Sequence, residues 1–219
     1  MVNDLTIKPI PVDKSAHHPD SKYSVLPPHE FTLGLIAPKG SGKTTLMVNL
    51  LIFYKEYFHT ILIFSPTISS DDKWDWVKKQ DFLGENKKLK EWMDANDKQQ
   101  NKVVTPPFNE TLKKTKKFDG KIPKECFYTE YDENTLSLIM KEQMDMIQLL
   151  EKHKKTKHLA NRILIIFDDL VGSKLFSNQK QNPFKTLNTN HRHYSTSILM
   201  VSQAYKEVCL FYFLLLYLV

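Results

Sequence analysis

Glycine, arginine and cysteine are scarce in this 219-residue chain, and each scarcity excludes something. Six glycines stand where average usage would supply more than twice that number. A collagen-like or glycine-rich low-complexity chain is therefore excluded. The two cysteines, Cys126 and Cys209, lie far apart and form no CxxC or Cys/His ligand spacing. A disulfide scaffold and a zinc knuckle are excluded, and a reducing intracellular compartment is the expectation. No apolar run approaches the roughly 20 residues of a membrane-spanning helix. The longest is Cys209–Val219, eleven residues. Met1–Asp20 is polar and mixed in charge, unlike a secretory signal. These features predict a soluble intracellular protein without a membrane partner.

What is present suits one globular domain. Apolar residues make up 41% and charged residues 26%, enough for a core and too apolar for wholesale disorder. Lys plus Arg number 31 against 25 Asp plus Glu, a net +6 that permits a polyanionic partner. Residues 1–30 hold five prolines and read as an extended N-terminal arm. Phe31–Ile36, Thr60–Phe64, Arg162–Phe167 and Ser197–Val201 are apolar runs suited to strands buried on both faces. Cys126–Thr129 is a further strand candidate. A helix is expected from the turn at Ala37–Lys43 to about Tyr57, with Leu46, Leu50, Phe53, Tyr54 and Tyr57 on its apolar face. Another is expected over Asn134–His153, from Leu136, Ile139, Met140, Ile147 and Leu150. Strands alternating with helices predict an α/β fold with a mostly parallel sheet flanked by helices. Residues 84–125 carry eleven lysines against seven acids, and read as a lysine-rich insertion or mobile lid.

Two of the six glycines, Gly40 and Gly42, fall inside Ala37-Pro-Lys-Gly-Ser-Gly-Lys-Thr44. This is the phosphate-binding pattern GxxxxGK(S/T), with Ala37 at its first position. Within the phosphate-binding stretch Pro38–Thr45, glycines let the successive backbone N–H groups after Pro38 turn inward on phosphate oxygens; among these residues Lys39, Gly40, Ser41 and Gly42 form the wrap. The helix that follows adds its positive end. Lys43 supplies a point charge to the phosphates and the Thr44 hydroxyl a magnesium ligand. ATP and Mg2+ are the expected cofactors of a P-loop NTPase.

Such a site needs a carboxylate for magnesium and a group that orients water, at the C-terminal tip of another buried strand. Ile163–Phe167 ends in Asp168-Asp169, which suits Asp168 for the metal and Asp169 for the base. A paired Asp in that position is also a common turn or cap. Ser197–Val201 ends in Ser202-Gln203, where Gln203 could sense the γ-phosphate or merely be a surface amide. The chain has only two arginines, Arg162 and Arg192. Arg192, in Asn190-His-Arg-His193, is a candidate arginine finger in cis or from a neighbouring subunit, or part of a solvated basic loop. His191 and His193 lack a third ligand nearby, so a metal pair is rejected.

The ordered set IAPKGSGKTTL, ILIIFDDL and NHRHYSTSILMVSQAYKEV resembles the genome-packaging ATPases of nucleocytoplasmic large DNA viruses, virophages and Maverick-type elements, in the FtsK–HerA group of P-loop motors. The resemblance runs from about Leu26 to Val208, so residues 31–208 are read as the ATPase domain. It implies a homo-oligomeric ring that couples ATP hydrolysis to moving double-stranded DNA into a capsid, in a host cytoplasm or virion, with a capsid component as possible partner. It gives Lys43, Asp169, Gln203 and Arg192 catalytic roles and Thr44 and Asp168 the metal. It also implies that the strand ending at Gln203 lies between the loop strand and the acidic strand. Relatives continue with a polar stretch where this chain has the atypical apolar tail 209–219. A truncated or frame-shifted reading frame, an integrated relic, or a final buried strand are the expectations for that tail.

Two other readings compete. A P-loop nucleoside or small-molecule kinase fits the loop, although such kinases usually carry lid arginines and residues 84–125 have none. An inactive relic that at most binds nucleotide fits the abrupt tail.

Overall fold

The computed structural model describes residues 22–23, 26–97, 118–170, 175 and 182–203. Residues 1–21 of the arm, residues 98–117 of the lysine-rich stretch and the tail 209–219 lie outside these residues.

Five strands form one all-parallel sheet: β1 (Thr32–Ile36), β2 (Thr60–Phe64), β3 (Phe127–Tyr128), β4 (Ile163–Asp168) and β5 (Thr196–Ser202). Their spatial order is β1-β5-β4-β2-β3. Every residue of β2, β4 and β5 is buried, which is why their sequences run apolar without alternation. β5 lies between β1 and β4, the order that the resemblance implied.

Helix α1 (Lys43–Phe53) covers one face. Its Leu50 and Leu51 enclose a small apolar cavity with Phe31, Leu33, Leu164 and Leu199. The other face carries Phe167, whose ring packs edge-on to Phe184 at 5.1 Å. Phe184 belongs to α5 (Pro183–Asn190), which starts where the Asn182 side chain accepts from the Phe184 amide. Alongside lies α4 (Glu133–Lys152), capped by Asp132 through the Asn134 and Thr135 amides. All five apolar positions expected inside for this helix are buried. Among the described residues no helix is long and apolar enough to cross a membrane.

Three expectations need correction. First, α1 ends at Phe53, and its buried residues are Met47 and Leu51, followed by Tyr54, Tyr57 and Phe58. Leu46 and Phe53 are instead exposed, at 49% and 42%. The helix is apolar on nearly every side, so several stripes at helical spacing can be drawn through it. Second, residues 84–125 are not wholly a lid. They contain α3 (Lys87–Asp97), whose Leu89 and Met93 are buried against Met146, Ile147 and Leu150 of α4. The stretch is tied down at both ends, Gly84 N–H to the Phe58 carbonyl at 2.9 Å and Leu83 N–H to Gly120 at 2.7 Å. Third, a short helix α2 (Asp72–Val77), with Trp74 and Val77 fully buried, follows β2 where no helix was expected.

Candidate functional site

Parallel strands deliver all their C-terminal ends to one edge, and every candidate except Arg192 gathers there. Along this edge stand the loop after β1, Gln203 after β5, Asp168-Asp169 at the end of β4, and Ser65 after β2.

The loop begins tied to its neighbour: the Ala37 amide donates to the Ser202 carbonyl at 3.2 Å. Gly40 and Gly42 take φ of +79° and +86°, left-handed conformations that L side chains resist. Nothing lies within 4 Å of the Cβ position at either glycine, so their backbone fixes the residue type and the space beside them is open. Gly42 is the N-cap of α1 and contributes no side-chain cap. The first amides of α1 therefore lack the partner that a Ser or Asp cap would give. Lys43 bends back under the loop and donates from Nζ to the carbonyls of Ala37 (2.5 Å) and Pro38 (2.8 Å). An ammonium has three donors, so one is left for another acceptor.

Asp168 completes a cross-strand row. It is level with Val201 of β5, which is level with Leu35 of β1. Side chains on this row share the face of Leu164 and Leu199, the face that α1 covers. Asp168 thus stands on the same side of the sheet as the start of α1. Its carboxylate is 4% exposed and accepts from Ser65 Oγ at 2.8 Å. Burial pushes this carboxyl from its ordinary 3.8 up to about 6. The Ser65 hydrogen bond opposes the rise, Asp169 and Asp71 add to it, and the Lys43 ammonium is near enough to lower it.

Asp169 takes φ of +51°, a left-handed turn held by its amide donating to the Val201 carbonyl at 2.9 Å. Its Oδ2 accepts from Gln203 Nε2 at 2.5 Å. Two residues singled out separately in the sequence thus form one unit across adjacent strand tips.

Arg192 does not join them. It precedes β5, at the opposite edge of the sheet, and its carbonyl accepts from Lys157 Nζ at 3.1 Å. The seven residues of β5 separate it from Gln203 by about 20 Å. An arginine finger in cis is incompatible with that placement. Arg162 lies at the same far edge, over the Tyr57 ring. No guanidinium of this chain reaches the loop edge from within the subunit.

Sequence reasoning missed Ser65 and Thr67. Ser65 Oγ lies 3.0 Å from Thr67 Oγ1, which accepts from Trp74 Nε1 at 3.2 Å. Trp74, Thr67 and Ser65 thereby brace the Asp168 carboxylate from the β2 side. The available signal was Ser65-Pro66-Thr67 closing a buried strand at the same edge as the loop.

Oxygen donors of this kind, a hydroxyl at Thr44 and a carboxylate at Asp168, suit a hard cation such as magnesium. Among the described residues no three His, Cys, Asp or Glu side chains gather to hold a metal by themselves. A cation here would therefore need ligands from a bound molecule, as Mg2+ commonly takes them from phosphates. Comparison of the chain with protein-family models, with curated proteins and with solved structures gives no match.

Proposed function

We propose that this chain is a P-loop nucleoside triphosphatase, and that it serves as the motor subunit of a ring that translocates double-stranded DNA. The observation that carries the nucleotide reading is the shared edge and face of Lys43, the open side of Gly40 and Gly42, and the buried Asp168. The left-handed glycines turn amides toward one concavity, and the uncapped start of α1 adds its positive end. The third Lys43 donor binds a phosphate oxygen. Thr44 and Asp168 would hold magnesium, whose charge offsets that of the phosphates.

The Asp169–Gln203 pair handles water. Asp169 accepts a proton or a hydrogen bond, and Gln203 has a second amide N–H and a carbonyl with which to orient a nucleophile. Arg192 acts, on this reading, on a neighbouring subunit's nucleotide, because only an adjoining copy could present its far edge to this site. The DNA and capsid parts rest on the sequence resemblance and on the net +6. The densest lysines, Lys113-Lys114 and Lys116-Lys117, lie outside the described residues.

Binding of a fluorescent ATP analogue with Mg2+, and phosphate release with and without duplex DNA, test this reading. Lys43→Ala should weaken binding at least about tenfold, the loss of one charge-assisted contact. Duplex DNA should raise phosphate release, and DNA affinity should fall with added salt. Phosphate transfer to a nucleoside would favour the kinase, binding without turnover the relic. An intact chain that fails to bind Mg-ATP would overturn the whole reading.

A further inference from the structure

Trp74, Thr67 and Ser65 form an unbroken chain of hydrogen bonds that ends on Asp168. Resting on the nucleotide reading above, we propose that this relay fixes the rotation of the Asp168 carboxylate for a magnesium ion, with Ser65, Thr67 and Trp74 as positioning residues. The β2 tip and the short helix α2 thereby become part of the site.

The sense of each bond follows from which groups carry hydrogens. An ionised carboxylate has none, so Ser65 Oγ donates its single hydrogen to Asp168 Oδ2, at 2.8 Å. Ser65 Oγ lies 3.0 Å from Thr67 Oγ1 and has no second hydrogen, so Thr67 donates in that pair. Trp74 Nε1 can only donate, and it donates to Thr67 Oγ1 at 3.2 Å. The Thr67 amide also donates to Ser65 Oγ, at 3.3 Å. Ser65 thus accepts twice and donates once, the full capacity of a hydroxyl. Every hydrogen points toward the carboxylate, and bonds that run in one sense through a low-dielectric interior polarise one another.

The relay is held at both ends. Ser65 and Trp74 are fully buried, so water does not compete for their bonds. The turn between them closes on itself: the Ile68 amide donates to the Ser65 carbonyl at 3.3 Å, and the Asp71 amide to the Thr67 carbonyl at 2.9 Å. Asp71 then starts α2, its side chain accepting from the Lys73 amide at 3.0 Å and its carbonyl from the Trp74 amide at 2.9 Å. Lys78, just past α2, returns to the turn and donates from Nζ to the Ile68 carbonyl at 3.2 Å. A helix of six residues has little stability alone. What α2 delivers to this turn is the Trp74 indole.

Among the described residues the Asp168 carboxylate is bonded through Oδ2, which leaves Oδ1 for a cation. Magnesium demands near-ideal octahedral geometry. A carboxylate anchored at one oxygen presents the other in a single orientation. Groups that orient a metal's ligand in this way commonly raise metal affinity about tenfold or more.

Titration of the full chain with a fluorescent ATP analogue, once with Mg2+ and once with EDTA, separates the cation's contribution from that of the loop. Ser65→Ala should cut the magnesium-dependent gain in affinity about tenfold. Thr67→Val, which removes one neutral hydrogen bond at nearly constant shape, should cut it about fivefold. Thr67→Ser keeps the hydroxyl and should restore the gain. Affinity in EDTA, set by Gly40, Gly42 and Lys43, should stay at its original value in all three. As a readout independent of these variants, the Trp74 indole N–H resonance of the unaltered chain should shift when Mg2+ joins the bound analogue. A magnesium gain unchanged in both Ser65→Ala and Thr67→Val would overturn the relay while leaving the nucleotide reading intact. So would an indole resonance that does not move, or an equal loss of affinity with Mg2+ and with EDTA, which would make these side chains props of the fold alone. An unaltered chain that binds no analogue would overturn the nucleotide reading and the relay with it.

Discussion

Replacing Asp168 by Asn should make the protein more stable at pH 8 and slightly less stable at pH 4. The Asp168 carboxyl is 4% exposed, and burial raises it from 3.8 to about 6. A carboxyl raised on folding contributes stability in its neutral form, fully below about 3.8, and loses it as pH rises through about 6. The shift is about two units at 1.36 kcal/mol each, or about 3 kcal/mol between the two limits. The amide cannot ionise and so escapes this loss. Its oxygen can still accept from Ser65 Oγ, but its NH2 must be desolvated, at about 1 kcal/mol. Asp168→Asn should therefore be less stable by about 0.5 kcal/mol at pH 4, where the wild type has begun to lose its advantage, and more stable by about 2 kcal/mol at pH 8. Urea denaturation with a chelator present measures this without divalent cations. With a slope of about 2 kcal/mol per molar, the midpoint at pH 8 should rise by about 1 M. A difference between the two proteins that does not change with pH would refute the reasoning.

Three further perturbations probe other parts of the structure. Leu89→Ala should cost about 2–4 kcal/mol in a denaturation experiment, because Leu89 is 5% exposed in the α3–α4 core; a loss under about 0.5 kcal/mol would return α3 to the status of a lid. Gly84→Ala should cost more than about 2 kcal/mol, since its Cβ would fall 2.1 Å from the Glu56 carbonyl oxygen. Glu56 cannot retreat easily, as its amide is bound to the Phe82 carbonyl at 2.8 Å; an unchanged thermal midpoint would contradict this. Asp169→Asn should fold normally, because Asn tolerates the left-handed φ of +51°, and should bind ATP while losing hydrolysis. Full turnover in that variant would remove Asp169 from the water-orienting role.

The fold was legible where burial is two-sided and obscure where it is marginal. TILIF, RILIIF and SILMV announce β2, β4 and β5 because no solvent face interrupts them. α4 announces itself by a single apolar stripe on a 20-residue helix. The lysines of α3 hide the i, i+3, i+4 set Leu89, Trp92 and Met93, so charge density outweighed a helical pattern that tertiary packing uses. α5 did carry a start signal, Asn182 before Pro183, in a stretch otherwise too polar to suggest a helix.

The site divides along a different line, between local chemistry and topology. Gly40, Gly42 and Lys43 were readable because one short loop holds both the left-handed backbone and the charge. Asp169 and Gln203 were readable singly, but their pairing depends on β4 and β5 being adjacent and level. Ser65 was readable as the close of β2 but not as the partner of Asp168. A serine after a strand is ordinary turn chemistry, and only the register Phe64 to Phe167 brings the next residue, Ser65, opposite Asp168. Arg192 shows topology narrowing a choice. The sequence left it open between a finger in cis, a finger from a neighbouring subunit and a solvated basic loop, and the strand that follows it places it a whole strand length from Gln203. In a parallel sheet, residues before a strand and residues after it belong to opposite edges. Arg192 can therefore serve a phosphate site only across a boundary between subunits, which makes the arginine and the loop tests of assembly as much as of catalysis.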